Sequence, residues 1–231
     1  MATDFAQFFL NSLPDLLSGL GNTLLLTFIS ITAGFFLGIA LALGRVYGNK
    51  IINGFCVGYI ELIRGTPLLV QLFVIYFGLP SIGIIFSPLQ AALLGLSLNS
   101  GAYQAEYLRG SIQSIESGQM SAARSLGMNK LLSIRHVILP QALRISIPAW
   151  SNEFIYLLQY SSVAYIIQVH ELTFEGKFIA AHTFRFLEMF AMIAVIYLVL
   201  TIVSTEVIDR ISKRLSIPGI GAAKPTTLRN V

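Results

Sequence analysis

Charged side chains are scarce in this sequence. They make up 11% of its 231 residues, while hydrophobic residues make up 55%. Soluble domains average about 25% charge, so a water-soluble fold of this size would lack the polar surface to cover itself. Mean hydropathy is +0.75, which excludes disorder, since disorder needs low hydrophobicity and high charge. Cysteine is nearly absent: Cys56 stands alone and is read as a packing residue, so a disulfide scaffold is excluded. His136, His170 and His182 form no HxxxH or HExxH pair, and no metal site is expected. All three fall at or beyond expected helix ends, which disfavours an intramembrane serine protease with its serine and base at matching depth. No phosphate-binding GxxxxGK[ST] loop occurs, because Gly176-Lys177 is followed by Phe178. If ATP powers this protein, another subunit holds it. The pI of about 9.3 does not indicate nucleic acid, because the basic residues flank apolar runs instead of forming one patch. What remains is an all-α chain embedded in a lipid bilayer.

A span needs about 20 mostly apolar residues. No charge lies between Asp15 and Arg45, and the first span is placed at 16–44. Its Gly34 and Gly38 form a small-xxx-small pair that either admits a neighbouring helix closely or is ordinary membrane-helix glycine. The next uncharged run, Gly65 to Ala105, would be roughly 60 Å long as one helix, about twice the bilayer core. It must fold back, and Leu79-Pro80-Ser81 with Ser87-Pro88 supply the turn, since proline cannot continue a helix. Spans are therefore expected near 55–79, 88–109, 147–167 and 186–208, five in all. Residues 1–15 precede them, 110–140 form a long loop, and 216–231, with Pro218, Gly219, Gly221 and Pro225, read as a flexible tail.

Lysine and arginine set the orientation. Segments 45–54, 109–144 and 209–231 hold twelve basic residues, and segments 1–15, 80–87 and 168–185 hold only Lys177 and Arg185. The long loop and C-terminus are expected in the cytoplasm and the N-terminus outside. No Lys or Arg precedes Arg45, so a cleaved signal peptide would lack its basic start, and the first run reads as a retained span.

Polar residues inside the spans carry the functional question. Glu61 and Arg64 stand three apart in span 2. Each charge costs roughly 2.5–3.5 kcal/mol on insertion scales, and pairing on one face offsets part of that. Pro67 removes a backbone donor and leaves the Ile63 carbonyl without its usual partner. Irregular backbone at membrane depth requires protein or water around it, so this stretch is either a structural pair with a kink or an element of a solute path. In span 3, Asn99, Tyr103 and Glu106 share a side and Gln104 lies slightly off it. In span 4, Glu153, Tyr156, Gln159 and Tyr160 recur at helical spacing. These residues either bind a polar solute near mid-membrane or hold the bundle by interhelical hydrogen bonds.

The 110–140 loop contains Glu116-Ser117-Gly118-Gln119-Met120-Ser121-Ala122-Ala123-Arg124-Ser125-Leu126-Gly127, then nine residues, then Val137-Ile138-Leu139-Pro140. Ser117 suits a helix cap and Gly127 a left-handed stop. The helix between them is too short to be stable alone. Its small Ala122–Ala123 face fits another protein's groove, or else the segment is a plain connector. This spacing resembles the EAA coupling loop of binding-protein-dependent ABC importer permeases, with Ser121 where that family usually has Glu. The stretch Tyr59-Ile60-Glu61-Leu62-Ile63-Arg64-Gly65-Thr66-Pro67-Leu68-Leu69-Val70-Gln71 resembles the span-2 signature of the polar amino-acid branch, which serves His, Glu, Gln, Arg and opines. Asn99-Ser100-Gly101-Ala102-Tyr103 with Glu106 and Arg109, and Asn152-Glu153-Phe154, resemble the same branch.

The resemblance implies a type I importer permease in the inner membrane of a prokaryote, without enzymatic activity. It implies a second permease chain, identical or homologous, and two ATP-binding subunits carrying ATP and Mg. It also implies an extracytoplasmic amino-acid-binding protein. Coupling to the ATPase falls to Ser117, Ser121, Ala122, Ala123, Arg124, Leu126 and Gly127. The solute path falls to Asn99, Tyr103, Gln104, Glu153, Tyr156, Gln159 and Tyr160, with Glu61, Arg64 and Pro67 as the polar pair and kink. Family members often carry Lys where Gln159 stands, which bears on cargo charge. Two other classes fit less well: a stand-alone secondary transporter, which commonly shows repeated halves and more spans, and a non-transporting scaffold, which would not need inward-facing charges and amides in three spans.

The charge asymmetry makes an expected outcome. With Cys56→Ser as background, Ala2→Cys and Ala222→Cys should label from opposite sides with an impermeant thiol reagent. Labelling of the Ala222→Cys variant from outside intact cells overturns the topology.

Overall fold

The structure, a computed structural model, describes residues 2–215; the expected tail, 216–231, lies outside them. Nine α-helices and four short 3-10 or π turns follow one another, with no strand among the described residues. The helices are α1 (Ala2–Tyr47), α2 (Lys50–Arg64), α3 (Leu68–Phe73), α4 (Pro88–Ser114), α5 (Ser117–Ser125), α6 (Lys130–Ser133), α7 (Leu139–Tyr160), α8 (Leu172–Thr183) and α9 (Phe186–Leu215). A π turn and a 3-10 turn extend α3 to Ile82. A π turn joins α6 to α7, and a 3-10 turn over Ser161–Ile167 ends α7.

Helix α4 is the centre, packed by α1, α2, α3 and α7. A capping box starts it: Gln90 N donates to Ser87 Oγ at 3.3 Å, and Ser87 N donates to Gln90 Oε1 at 3.0 Å. Its Ala91, Ala92, Leu96, Ala102, Ala105 and Leu108 are fully buried. The glycine pair of α1 makes this density possible. A Cβ at Gly34 would stand 3.0 Å from Gly101 N, and one at Gly38 would stand 3.1 Å from Ala105 N. The small-xxx-small pair is thus the α1–α4 contact, where backbones meet and a larger side chain has no room.

Several expected boundaries move. The segment expected ahead of the first span is helical over residues 2–15: α1 begins at Ala2 and runs through Pro14 into the span without a break. The stretch 55–79 is not one straight helix. It breaks at Gly65–Pro67, and the two arms meet at 103°. The 110–140 loop is mostly helix: α4 runs on to Ser114, and helical structure resumes at Lys130 after Asn129 caps it, Leu132 N donating to Asn129 Oδ1 at 2.9 Å. By length and apolarity alone, two helical stretches can cross a bilayer, Ala6–Tyr47 and Phe186–Ser212, or three with the bent pair. The inward-facing polar residues of α4 and α7 lower their mean hydropathy, so those helices do not qualify by composition.

Helix α8 closes one end of the bundle against α1 and α9. Its cap is Glu171, fully buried, which accepts from Phe174 N at 2.7 Å, Thr173 N at 2.9 Å and Tyr197 OH at 3.1 Å. Leu172 N donates to Thr23 Oγ1 at 3.1 Å, tying the cap to α1. Beside it His170 Nδ1 pairs with Glu175 Oε1 at 2.8 Å. Burial pushes the Glu171 carboxyl up to about 7, against the lowering pull of its backbone donors. A raised carboxyl favours the folded state while protonated. That contribution is complete below the ordinary carboxylate range and is lost as pH rises through 7. A shift of this size corresponds to ~3 kcal/mol, or several degrees of Tm. Glu171→Gln should therefore flatten the fall in Tm between pH 5 and pH 8. A variant with the wild-type pH slope removes Glu171 as its source.

Candidate functional site

The site is built on the break between α2 and α3. Gly65 ends α2, and Pro67 is extended at φ −62°, ψ 137°. Proline has no N–H for the Ile63 carbonyl, and no water is available in hydrocarbon. The Gln71 side chain replaces the missing donor. Its Nε2 lies 2.7 Å from Ile63 O, 3.0 Å from Thr66 O and 3.0 Å from Thr66 Oγ1. Its Oε1 accepts from Asn99 Nδ2 at 3.1 Å, which fastens the break to α4. The kink expected from Pro67 is thus a turn of 103° held by an amide four residues on.

The expected Glu61–Arg64 pair does not form. Glu61 lies 3.9 Å from Arg45, and Arg64 lies 3.6 Å from Glu106. Partners on α1 and α4 win because they sit closer than the helical neighbour. Glu106 is the hub: Arg45 Nη1 reaches it at 2.5 Å, and Arg109 binds it with Nε at 3.0 Å and Nη2 at 2.9 Å. The Arg64 guanidinium instead lies over the Tyr103 ring, 5.2 Å from its centroid, a cation–π contact.

Arg64, residues 65–69, Asn99, Tyr103, Tyr160 and Val163 line one pocket of about 470 Å³. Of the expected path residues, this joins Asn99, Tyr103 and Tyr160, with Arg64 and Pro67 beside them. Tyr156, half exposed, stacks on Tyr160 with ring centroids 6.2 Å apart. Gln159 opens into a different groove, toward Tyr197 and Thr201 of α9. Glu153 and Gln104 do not line this pocket and are buried. Ser100 Oγ donates to Glu153 Oε1 at 2.8 Å and Tyr107 OH to Oε2 at 3.2 Å. Gln104 Nε2 donates to Ser100 Oγ at 2.9 Å and to Ile31 O at 3.1 Å. This chain ties α1, α4 and α7 together through bonds that are all made.

Sequence reasoning missed Gln71, Ser100, Tyr107 and Arg45 as parts of this network. For Gln71 a signal existed: an amide one turn past an intramembrane proline is placed to serve the orphaned carbonyl. For Ser100 and Tyr107 none did, since their partner lies on a distant helix.

The 117–125 segment forms α5 as expected. Glu116, not Ser117, holds the cap position and makes no side-chain cap bond, and Ser117 is already in the first turn. Gly127 is left-handed at φ +84°. Gly127 N donates to Arg124 O at 3.0 Å and Met128 N to Ala123 O at 3.2 Å, which closes the helix end. Ala123 is buried against the helix that follows. Ser117, Ser121, Ala122, Arg124, Leu126 and Gly127 are exposed, Leu126 at 84%.

Residues 30–217 match the family described as binding-protein-dependent transport system inner membrane component. The chain belongs to this family. Among curated proteins, it is 42% identical over 188 residues to the probable amino-acid ABC transporter permease protein YckA of Bacillus subtilis (strain 168), covering 81% of this chain and 83% of that one. It is 37% identical over 208 residues to the glutamine transport system permease protein GlnP of Escherichia coli (strain K12), covering 89% and 95%. The solved structure of an amino acid ABC transporter with histidines superposes with a TM-score of 0.83 at 40% identity, covering 89% of this chain and 96% of that one. This permease is therefore an inner-membrane subunit of an ABC importer with the type I fold. It is a transport subunit and not an enzyme: ATP hydrolysis belongs to a separate subunit, and a binding protein serves the complex.

The stitched break makes an expected outcome. Gln71→Leu keeps the volume and removes both the donor for Ile63 and the acceptor for Asn99. Leaving buried polar groups unpaired costs about 1–3 kcal/mol each. The purified variant should melt several degrees lower and lose transport, while Gln71→Glu, which keeps only acceptors, should be no better. A Gln71→Leu permease with wild-type Tm and transport shows that the amide does not hold the break.

Proposed function

We propose that this permease carries polar amino acids inward, and that the pocket beside the α2–α3 break lies on their path. The observation that carries this reading is the pocket itself. In a chain with so little charge, a guanidinium, an amide and two phenols open into one space. The names of its relatives favour amino acids: YckA is called a probable amino-acid permease and GlnP a glutamine permease. A zwitterion in hydrocarbon must exchange its water for fixed polar partners. Asn99, Tyr103 and Tyr160 meet cargo directly in this reading. Glu153 and Gln104 hold the wall behind them, and Tyr156 and Gln159 face the space shared with a second permease chain.

The same reading gives the chain five spans, with α4, α7 and the bent α2–α3 pair completing α1 and α9. Its N-terminus lies outside and its C-terminus in the cytoplasm, in keeping with the distribution of lysine and arginine. Two permease chains, identical or homologous, pair with two ATP-binding subunits that hold ATP and Mg. Helix α5 is the contact with those subunits. Its support is an exposed, small-faced helix carrying Leu126 outward on the side rich in basic residues.

The test is the complete complex in proteoliposomes. One or more of L-glutamine, L-glutamate, L-histidine and L-arginine should raise ATP hydrolysis and accumulate inside. Gly127→Asp should insert normally and abolish the coupling, because it places a charge and a Cβ at a left-handed position. Accumulation that proceeds without the ATP-binding subunit would favour a secondary transporter, and a full panel without effect overturns the amino-acid reading.

A further inference from the structure

Two apolar grooves run along α9, and they differ in the charge beside them. The larger, about 740 Å³, lies between α1 and α9. Its one charged lining residue is Glu188, and the nearby Arg185 is spent on Glu188 and Asp4. The smaller, about 450 Å³, lies where α7 and α9 meet α1, walled by Ile31, Ile147, Phe154, Ile208 and Ile211. Its one charged lining residue is Arg144, which is exposed. Arg144 makes no hydrogen bond and no ion pair among the described residues.

From Arg144 to Phe154 the smaller groove follows α7 for about 15 Å. That is the depth of one leaflet in a hydrocarbon core about 30 Å thick. Its serines are already bonded: Ser151 Oγ donates to Ile147 O at 2.9 Å and lies 3.5 Å from Ser212 Oγ. Two donors are unspent. One is the Arg144 guanidinium. The other is the indole of Trp150, which lines the groove in a T-shaped contact with Phe35 and has its Nε1 buried without a partner among the described residues. An apolar wall with a free cation at one end fits a molecule that is apolar along its length and anionic at its head. The segment 216–231 does not fit that description, because it contains no Asp or Glu for Arg144.

We propose that the α7–α9 groove holds an anionic phospholipid, with one acyl chain along Ile147, Phe154 and Ile208 and its phosphate on Arg144. The planar fork of arginine matches phosphate oxygens. Lipid tails are as apolar as the groove, so the wall supplies only shape and the headgroup contact supplies the selectivity. A zwitterionic headgroup brings a cation of its own, which competes for the phosphate and is repelled by Arg144; an anionic headgroup does not. The assignment rests on the reading that α7 crosses the bilayer and is independent of what the permease carries.

Trp150 is the sole tryptophan of the chain and stands in the groove wall, so its fluorescence reports on the occupant. The complete complex is placed in phosphatidylcholine vesicles that contain the same minor fraction of either phosphatidylglycerol or phosphatidylcholine with brominated acyl chains, which quench indole on contact. A complex carrying Trp150→Phe gives the background from other subunits. Brominated phosphatidylglycerol should quench Trp150 as if enriched at least threefold over brominated phosphatidylcholine. Arg144→Gln should erase that enrichment, and Lys50→Gln, which removes an exposed positive charge elsewhere on the basic side, should keep it. Equal quenching by the two lipids in the wild type overturns the proposal, a comparison that stands even if Arg144→Gln does not assemble. Enrichment that survives Arg144→Gln, or that Lys50→Gln removes equally, overturns it too, because the attraction is then general to the basic side. Quenching by neither lipid also overturns it, and aqueous iodide then separates the causes. If iodide quenches Trp150, the reading that α7 crosses the bilayer fails. If it does not, protein fills the groove: the 216–231 segment where its deletion restores quenching by lipid, a second permease chain where it does not.

Discussion

One constraint organises this permease: backbone polar groups inside a bilayer must find partners within the protein. Pro67 violates that rule at one point by withdrawing a donor. The molecule answers with Gln71, whose Nε2 serves the Ile63 and Thr66 carbonyls and whose Oε1 takes a hydrogen from Asn99. Because that repair reaches α4, the break is no local flaw. It becomes a corner of the bundle, and its 103° turn opens a pocket between α2, α3, α4 and α7.

The same constraint explains the two kinds of polar residue in the core. Glu153, Ser100, Gln104 and Tyr107 are buried or half-buried and mutually bonded, and they join three helices at the cost of desolvation alone. Arg64, Asn99, Tyr103 and Tyr160 border open space with bonding capacity unspent. A membrane protein gains nothing structural from an unspent donor, because each one left dry is costly. The satisfied network and the residues that border the pocket alternate along α4, Asn99 beside Ser100 and Tyr103 beside Gln104, so the two faces of one helix differ in how far their polar groups are paired.

Glycine packing and electrostatics set the frame around them. Gly34 and Gly38 let α1 lie against α4 backbone to backbone, which brings Arg45 to the level of Glu106. Without that approach the three arginines would not share one hub. At the other end, Glu171 caps α8 and holds it to α1 and α9 through Thr23 and Tyr197. Burial makes this junction sensitive to pH.

Much of this was legible in the sequence. Scarcity of charge required a bilayer, and Gly127 ended a short helix where a left-handed residue was needed. Asn99, Tyr103 and Tyr160 were visible as polar residues at helical spacing, since a period of 3.6 is a local property. The pairing of charges was not. Glu61 and Arg64 are sequence neighbours on one helix face, yet each finds its partner on another helix, because distances between helices depend on packing that no local pattern records. The length of the helices on either side of 115–129 was likewise hidden, as polar helical turns read like loop. Sequence alone therefore determined the solvent this chain lives in, the positions of its polar residues and the residue that breaks its second helix. Only the tertiary structure decided which of those residues spend their hydrogen bonds on one another and which border open space, because that depends on how distant helices pack.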